Sequence, residues 1–151
     1  MLKKWFISTG MVAAAVMSSS VFAADCSVEI SGSDQMRFDK NEISVSKECT
    51  EVTVTLKHTG QLPVNAMGHN WVVTETSQMS SVINAGMSSG LESNYLPKDN
   101  EGVLAATKLI GGGEETSVTF DVSDWNKEGD YTFFCSFPGH SALMKGKFVF
   151  N

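Results

Sequence analysis

Glu51-Val-Thr-Val-Thr-Leu-Lys-His58 alternates without a break. In an extended chain Val52, Val54, Leu56 and His58 share one face, and Glu51, Thr53, Thr55 and Lys57 share the other. The same period of two recurs outward along the chain. Upstream, Cys26–Ser31 reads as a strand, closed by the turn signal Ser31-Gly32-Ser33-Asp34. Met36–Phe38 is extended until Asp39-Lys40-Asn41, and Ile43 and Val45 alternate with Ser44 and Ser46. Downstream, Thr59–Pro63 reads as loop and Trp71–Thr74 as a strand. Val103–Ile110 is a candidate to join the sheet, and Gly111-Gly112-Gly113 is a break. Val118, Phe120 and Val122 alternate, Asn126–Asp130 is a turn, and Tyr131, Phe133 and Cys135 share a face. Lys147–Phe150 closes the chain. One segment departs from the period: Met79, Val82, Ile83 and Met87 are spaced as on a helix, with Gly90 as its stop and a polar loop over Leu91–Gly102. About eight short strands between turn signals argue an all-β Greek-key sandwich or barrel with one short inserted helix.

The strand that ends at Cys135 runs into Cys135-Ser-Phe-Pro-Gly-His140-Ser-Ala-Leu-Met144. Pro138-Gly139 reads as a tight turn that bends His140 back towards Cys135, with Met144 approaching from another side. Thiolate, imidazole and thioether are soft or borderline ligands that suit copper. A second imidazole completes the two-His-one-Cys set with a weak axial Met that marks electron-transfer copper sites. Two other histidines exist. His58 lies on the apolar face of its strand and reads as a core residue. His69, in Met67-Gly68-His69-Asn70-Trp71, sits at a strand mouth and is the better ligand. Gly68 is either a plain turn glycine or the donor of a weak carbonyl contact. The rival reading, a Cys135–His140 nucleophile pair, leaves Met144 and the second histidine without a role.

Lys3 and Lys4, an apolar run from Trp5 to Val16 and Val21-Phe22-Ala23 have the pattern of an export leader, residues 1–23, with a cut after Ala23 or Ala24. That run is short for a membrane span, so no membrane anchor is expected. Residues 24–151 are one domain's worth. The chain carries 11 Lys+Arg against 17 Asp+Glu. Removing Lys3 and Lys4 leaves 9 against 17, about −8 from side chains, with no basic patch for nucleic acid. Of three cysteines, Cys26 and Cys49 lie close to the N-terminus and form the economical disulfide, leaving Cys135 for a metal. Such a crosslink is worth about 3 kcal/mol.

Residues 24–151 resemble the azurin family of bacterial periplasmic blue copper proteins, which have the cupredoxin fold. The resemblance rests on Asp25-Cys26-Ser27-Val28, Met67-Gly68-His69-Asn70-Trp71-Val72, Thr107-Lys108-Leu109-Ile110-Gly111, and the run from Phe133-Phe134-Cys135 to Met144-Lys145-Gly146. It implies one copper ion held by His69, Cys135 and His140, with Met144 and the Gly68 carbonyl as axial contacts, and it matches the Cys26–Cys49 pairing. It implies that Asn70 ties the ligand loops together, and that backbone N–H groups at Asn70 and Phe137 bond the Cys135 sulfur. It implies an apolar docking patch of Met36, Leu62, Met67, Met87, Phe137 and Leu143 around His140. It further implies a monomer in the periplasm that passes single electrons to partners such as a c-type cytochrome or a copper or haem reductase. With four protein groups close in, no open position remains for a substrate, so an electron carrier is expected rather than an enzyme. A copper store or delivery protein with the same ligands is the alternative.

Overall fold

The computed structural model describes residues 25–151, so the leader reading and both cleavage positions lie outside the described residues. Among the described residues nine strands form: β1 (Ser27–Ser33), β2 (Arg37–Phe38), β3 (Glu42–Val45), β4 (Glu51–His58), β5 (Val72–Glu75), β6 (Ala105–Ala106), β7 (Glu115–Asp121), β8 (Tyr131–Phe134) and β9 (Lys145–Phe150). Helix α1 (Val64–Met67) is a single turn, and α2 (Met79–Ser89) is the inserted helix. One sheet has the order β2-β1-β4-β7 and the other β3-β9-β8-β5-β6. β1 pairs parallel with β4, and β3 parallel with β9. A parallel pair cannot be joined by a hairpin. The chain therefore crosses to the second sheet for β3 before returning for β4, and the two sheets become a sandwich.

The alternation of β4 decides which face goes inside. Val52, Val54 and Leu56 are fully buried, and they meet Ile30, Trp71, Val73, Phe133 and Phe148 in one core. Each such side chain contributes roughly 1.5–3 kcal/mol by leaving water. On the outer face Thr53 and Thr119 share a hydrogen bond of 2.9 Å, and Thr55 and Ser117 one of 2.8 Å. These cross-strand pairs tie β4 to β7 along the solvent side.

β5 and β8 break the simple alternation. Trp71, Val72, Val73 and Thr74 are all buried, as is every residue of β8. The cause is α2, which lays Val82 over Val72 and Phe134 on the outer face of that sheet. The helix stops where expected, at Gly90, whose φ of 74° suits a residue without a Cβ. The turn read at Ser31–Asp34 is displaced: β1 continues through Gly32 to Ser33. Of Val103–Ile110, two residues form a ladder with β5, and Ile110 adds an isolated bridge to His69.

The Cys26–Cys49 disulfide forms, with Cα atoms 5.7 Å apart. It joins the chain just before β1 to the chain just before β4. Because those strands run parallel, it lies at one end of the sandwich. The ends of β1, β4 and β8 and the starts of β5 and β9 meet at the other.

Candidate metal centre

Cys135 follows β8 directly and its side chain is fully buried. The loop after it closes on itself through the backbone. The Cys135 N–H donates to the Met144 carbonyl at 3.0 Å, and the Met144 N–H donates to the His140 carbonyl at 2.8 Å. Gly139, with φ of 84°, supplies the left-handed residue that turns His140 inward, as the Pro-Gly pair suggested. Met144 ends the loop, fully buried, one residue before β9.

His69 reaches the same place from the other side. Its backbone is locked to Ile110 by two hydrogen bonds of 2.9 Å. Its Nε2 lies 2.8 Å from the Ser33 carbonyl. A carbonyl only accepts, so Nε2 carries the proton and Nδ1 keeps its lone pair. That Nδ1 is 3.9 Å from the Cys135 sulfur, and His140 Nδ1 is 3.7 Å from it. The three donor atoms all lie within 4.8 Å of one another. Donors at these spacings enclose a gap suited to one ion bonded at about 2.0–2.3 Å.

The electrostatics favour a cation there. Burial pushes the Cys135 thiol up to about 12, against the pull of backbone N–H groups at Asn70 and Phe137. Burial, and then the neighbouring His69 and His58, bring His140 down to about 4, and burial also lowers His69. Both imidazoles are therefore neutral donors at neutral pH. A thiolate so deeply buried needs a positive partner.

The other expected residues fall around this triad. The Gly68 carbonyl oxygen is 3.8 Å from the Cys135 sulfur. Gly68 has an ordinary φ of −64°, so its lack of a side chain answers to crowding: a Cβ there would meet the Val64 carbonyl oxygen at 2.5 Å. Asn70 Oδ1 accepts from the Ser136 N–H at 2.8 Å, and its Nδ2 donates to Ser136 Oγ at 2.8 Å and to the Asn94 carbonyl at 3.0 Å. It thus holds the two ligand segments to each other and to a third loop. Phe137 packs on His140 with ring centres 4.5 Å apart and the planes tilted by 36°. Of the patch residues, Leu62, Met87 and Leu143 are exposed, while Met36, Met67 and Phe137 are half-buried.

His58 is not brought into the donor set. Its Nδ1 accepts from the Gly60 N–H at 3.1 Å and its Nε2–H donates to the Met67 carbonyl at 2.8 Å. Its ring lies flat against His69, 4.3 Å away, and so fixes the plane of that imidazole. Two further positioning residues escaped the sequence reading. Ser33 contributes only its carbonyl, which any residue has. Gly32 is a notch: a Cβ there would stand 2.7 Å from His69 Cδ2 and 3.3 Å from Met144 Cε. Its glycine was visible, but nothing in the sequence placed it against His69.

Residues 24–151 match the profile of copper binding proteins of the plastocyanin/azurin family. The chain belongs to that family. It is similar to the azurin of Bordetella pertussis, 58% identical over 137 residues, which span 91% of each chain. It is also 58% identical to azurin-1 of Alcaligenes xylosoxydans xylosoxydans over 123 residues, 82% of this chain and 95% of that one. With the azurin of Pseudomonas aeruginosa it shares 54% over 131 residues, 87% of this chain and 88% of that one. Membership in the plastocyanin/azurin family makes this a copper-binding electron carrier rather than an enzyme, with copper as its cofactor. The donors fit that metal: one buried thiol and two imidazole lone pairs face one gap, with no carboxylate in the set. Among the described residues, no helix is long and apolar enough to cross a membrane.

Proposed function

We propose that this protein carries single electrons between redox proteins of the periplasm, with copper, when bound, held by His69, Cys135 and His140 and approached more weakly by Met144 and the Gly68 carbonyl. Bound copper supplies a one-electron couple between Cu(I) and Cu(II). The chain's own residues hold the donors in one arrangement for both states. Ser33 and His58 fix the His69 ring, Asn70 clamps Ser136 beside Cys135, and the 135–144 loop is bonded to itself. Little has to move when the charge changes, which suits a carrier. Residues 1–23 as an export leader and 24–151 as one domain complete the reading.

The observation that carries the proposal is the convergence of the buried His69, Cys135 and His140 side chains on one gap. Four large apolar side chains stand exposed among the described residues: Leu62, Met87, Leu104 and Leu143. All but Leu104 belong to the expected patch around His140. An exposed apolar patch marks docking, and the contact of Phe137 with His140 leads towards the donors.

Met67→Lys places a charge inside that patch, away from the donor atoms. Electron self-exchange between oxidised and reduced copper protein, followed by NMR line broadening, should slow at least tenfold while the visible spectrum barely moves. Fast, reversible voltammetry of the wild type should accompany it, since a metal store has no need to cycle. Unchanged self-exchange in the variant means that electrons leave by another face.

A further inference from the structure

The protein is acidic, yet one edge of the expected docking patch is not. Met36 is followed by Arg37 and Met144 by Lys145, and the two segments converge. With Lys40 they line an open groove of about 360 Å³ that has Leu143 at its border. Asp39 is the one acid in that lining, and it is engaged with Lys40 at 3.1 Å and with the Ser31 N–H at 2.7 Å. Four of the other lysines are spent on neighbours, whereas Lys98 and Lys108 are exposed with no ion-pair partner among the described residues and lie outside this groove. Lys47 pairs with Glu128, Lys57 with Glu29 and Glu115, and Lys147 with Asp130. Lys127 bonds carbonyls and covers Phe150. Arg37 and Lys145 are exposed and have no ion-pair partner among the described residues.

We infer that this cationic rim receives the acidic edge of a redox partner, a protein whose own electron port is ringed by carboxylates. The inference rests on the docking reading above. Apolar contact at Leu143 and Met67 brings the centres together, and Arg37 and Lys145 set the orientation by pairing with carboxylates. Charge complementarity of this kind acts mainly on the encounter rate and on register. At physiological salt the screening length is about 8 Å, so a partner near contact feels the rim more than the net charge of the whole molecule.

The test uses the copper-loaded full protein and, as probe, a reduced soluble cytochrome whose haem edge is ringed by carboxylates. Stopped-flow rates are measured from low to high salt for the wild type, for R37E/K145E, and for K47E/K127E. The last makes the same change in net charge at the disulfide end of the sandwich, where Lys127 bonds the Cys49 carbonyl and Lys47 lies two residues before Cys49. The wild-type rate should fall as salt rises, although both proteins are acidic overall. R37E/K145E should be slower by roughly tenfold at low salt, with the difference gone at high salt, while K47E/K127E changes little. Equal slowing in both doubles, or a wild-type rate that climbs with salt, overturns the rim. Met67→Lys separates the two readings: if it leaves the cytochrome rate unchanged while R37E/K145E slows it, the rim stands and the apolar patch fails.

Discussion

Gly32 shows how a residue without a side chain can shape a metal site. It sits in an ordinary strand, parallel to His58, so its φ does not demand glycine. What demands it is His69, whose ring occupies the space a Cβ would take, with the Met144 methyl beside it. Gly32→Ala should therefore push the ring and the thioether together rather than unfold the sheet. Overpacking of this sort costs about 1–3 kcal/mol. The expected readout is a changed Cu(II) EPR hyperfine pattern and a shifted reduction potential, with the far-ultraviolet circular dichroism unchanged. A variant with wild-type spectrum and potential would show that the notch has no bearing on the donors. Met144 makes the complementary case. Replacing the thioether by an alkyl group leaves a drier, more apolar wall beside the donors, and a greater charge loses more there. Met144→Leu should keep the blue colour and raise the potential, because Cu(II) carries the greater charge and loses more. Met144→Glu offers a hard anionic oxygen and should lower it. Protein-film voltammetry of the three proteins decides; if neither change moves the potential, Met144 is packing alone.

At the scale of elements, the site is the meeting of segments that are far apart in sequence, and this sets what the sequence could disclose. The 135–144 loop was legible because its candidate donors are local and its turn depends on Pro138-Gly139. β4 was legible because one of its faces meets solvent, so burial imposes a period of two. β5 and β8 were not fully legible, since α2 covers their outer face and removes the polar alternation. The one-turn helix α1, the parallel pairing of β1 with β4 and the role of Gly32 were invisible for a related reason: each depends on what the chain meets across the sandwich. Asn70 is the residue that makes these segments one unit. It bonds Ser136 twice and Asn94 once from a fully buried position. Asn70→Ala leaves the buried Ser136 N–H without its partner and removes one of the two donors to the Asn94 carbonyl, which keeps only Ser136 Oγ at 3.1 Å. The metal-free protein should lose on the order of 2–3 kcal/mol in denaturant unfolding. Copper should also dissociate faster, because the loops that present His69 and Cys135 are no longer clamped. A loss below about 0.5 kcal/mol would mean that water replaces the amide without cost.

On the scale of the molecule, the two ends of the sandwich have separate tasks. The disulfide constrains the end where β1 and β4 begin, and the donors occupy the end where those strands finish. Between them lies a core of aromatic rings around Trp71, packed against Phe120, Phe133 and Phe148. The account's central claim is that this frame presents a buried thiol and two imidazoles to one copper ion. The measurement that meets it most directly is a Cu(II) titration followed in the visible range, on the wild type and on Cys135→Ser. The account predicts an intense blue band in the wild type that saturates at one equivalent, bleaches on reduction and returns on reoxidation. In the folded Cys135→Ser protein that band should be absent, since it needs a copper–thiolate bond. A wild type that binds Cu(II) without the band, or a serine variant that keeps it, would contradict the assignment.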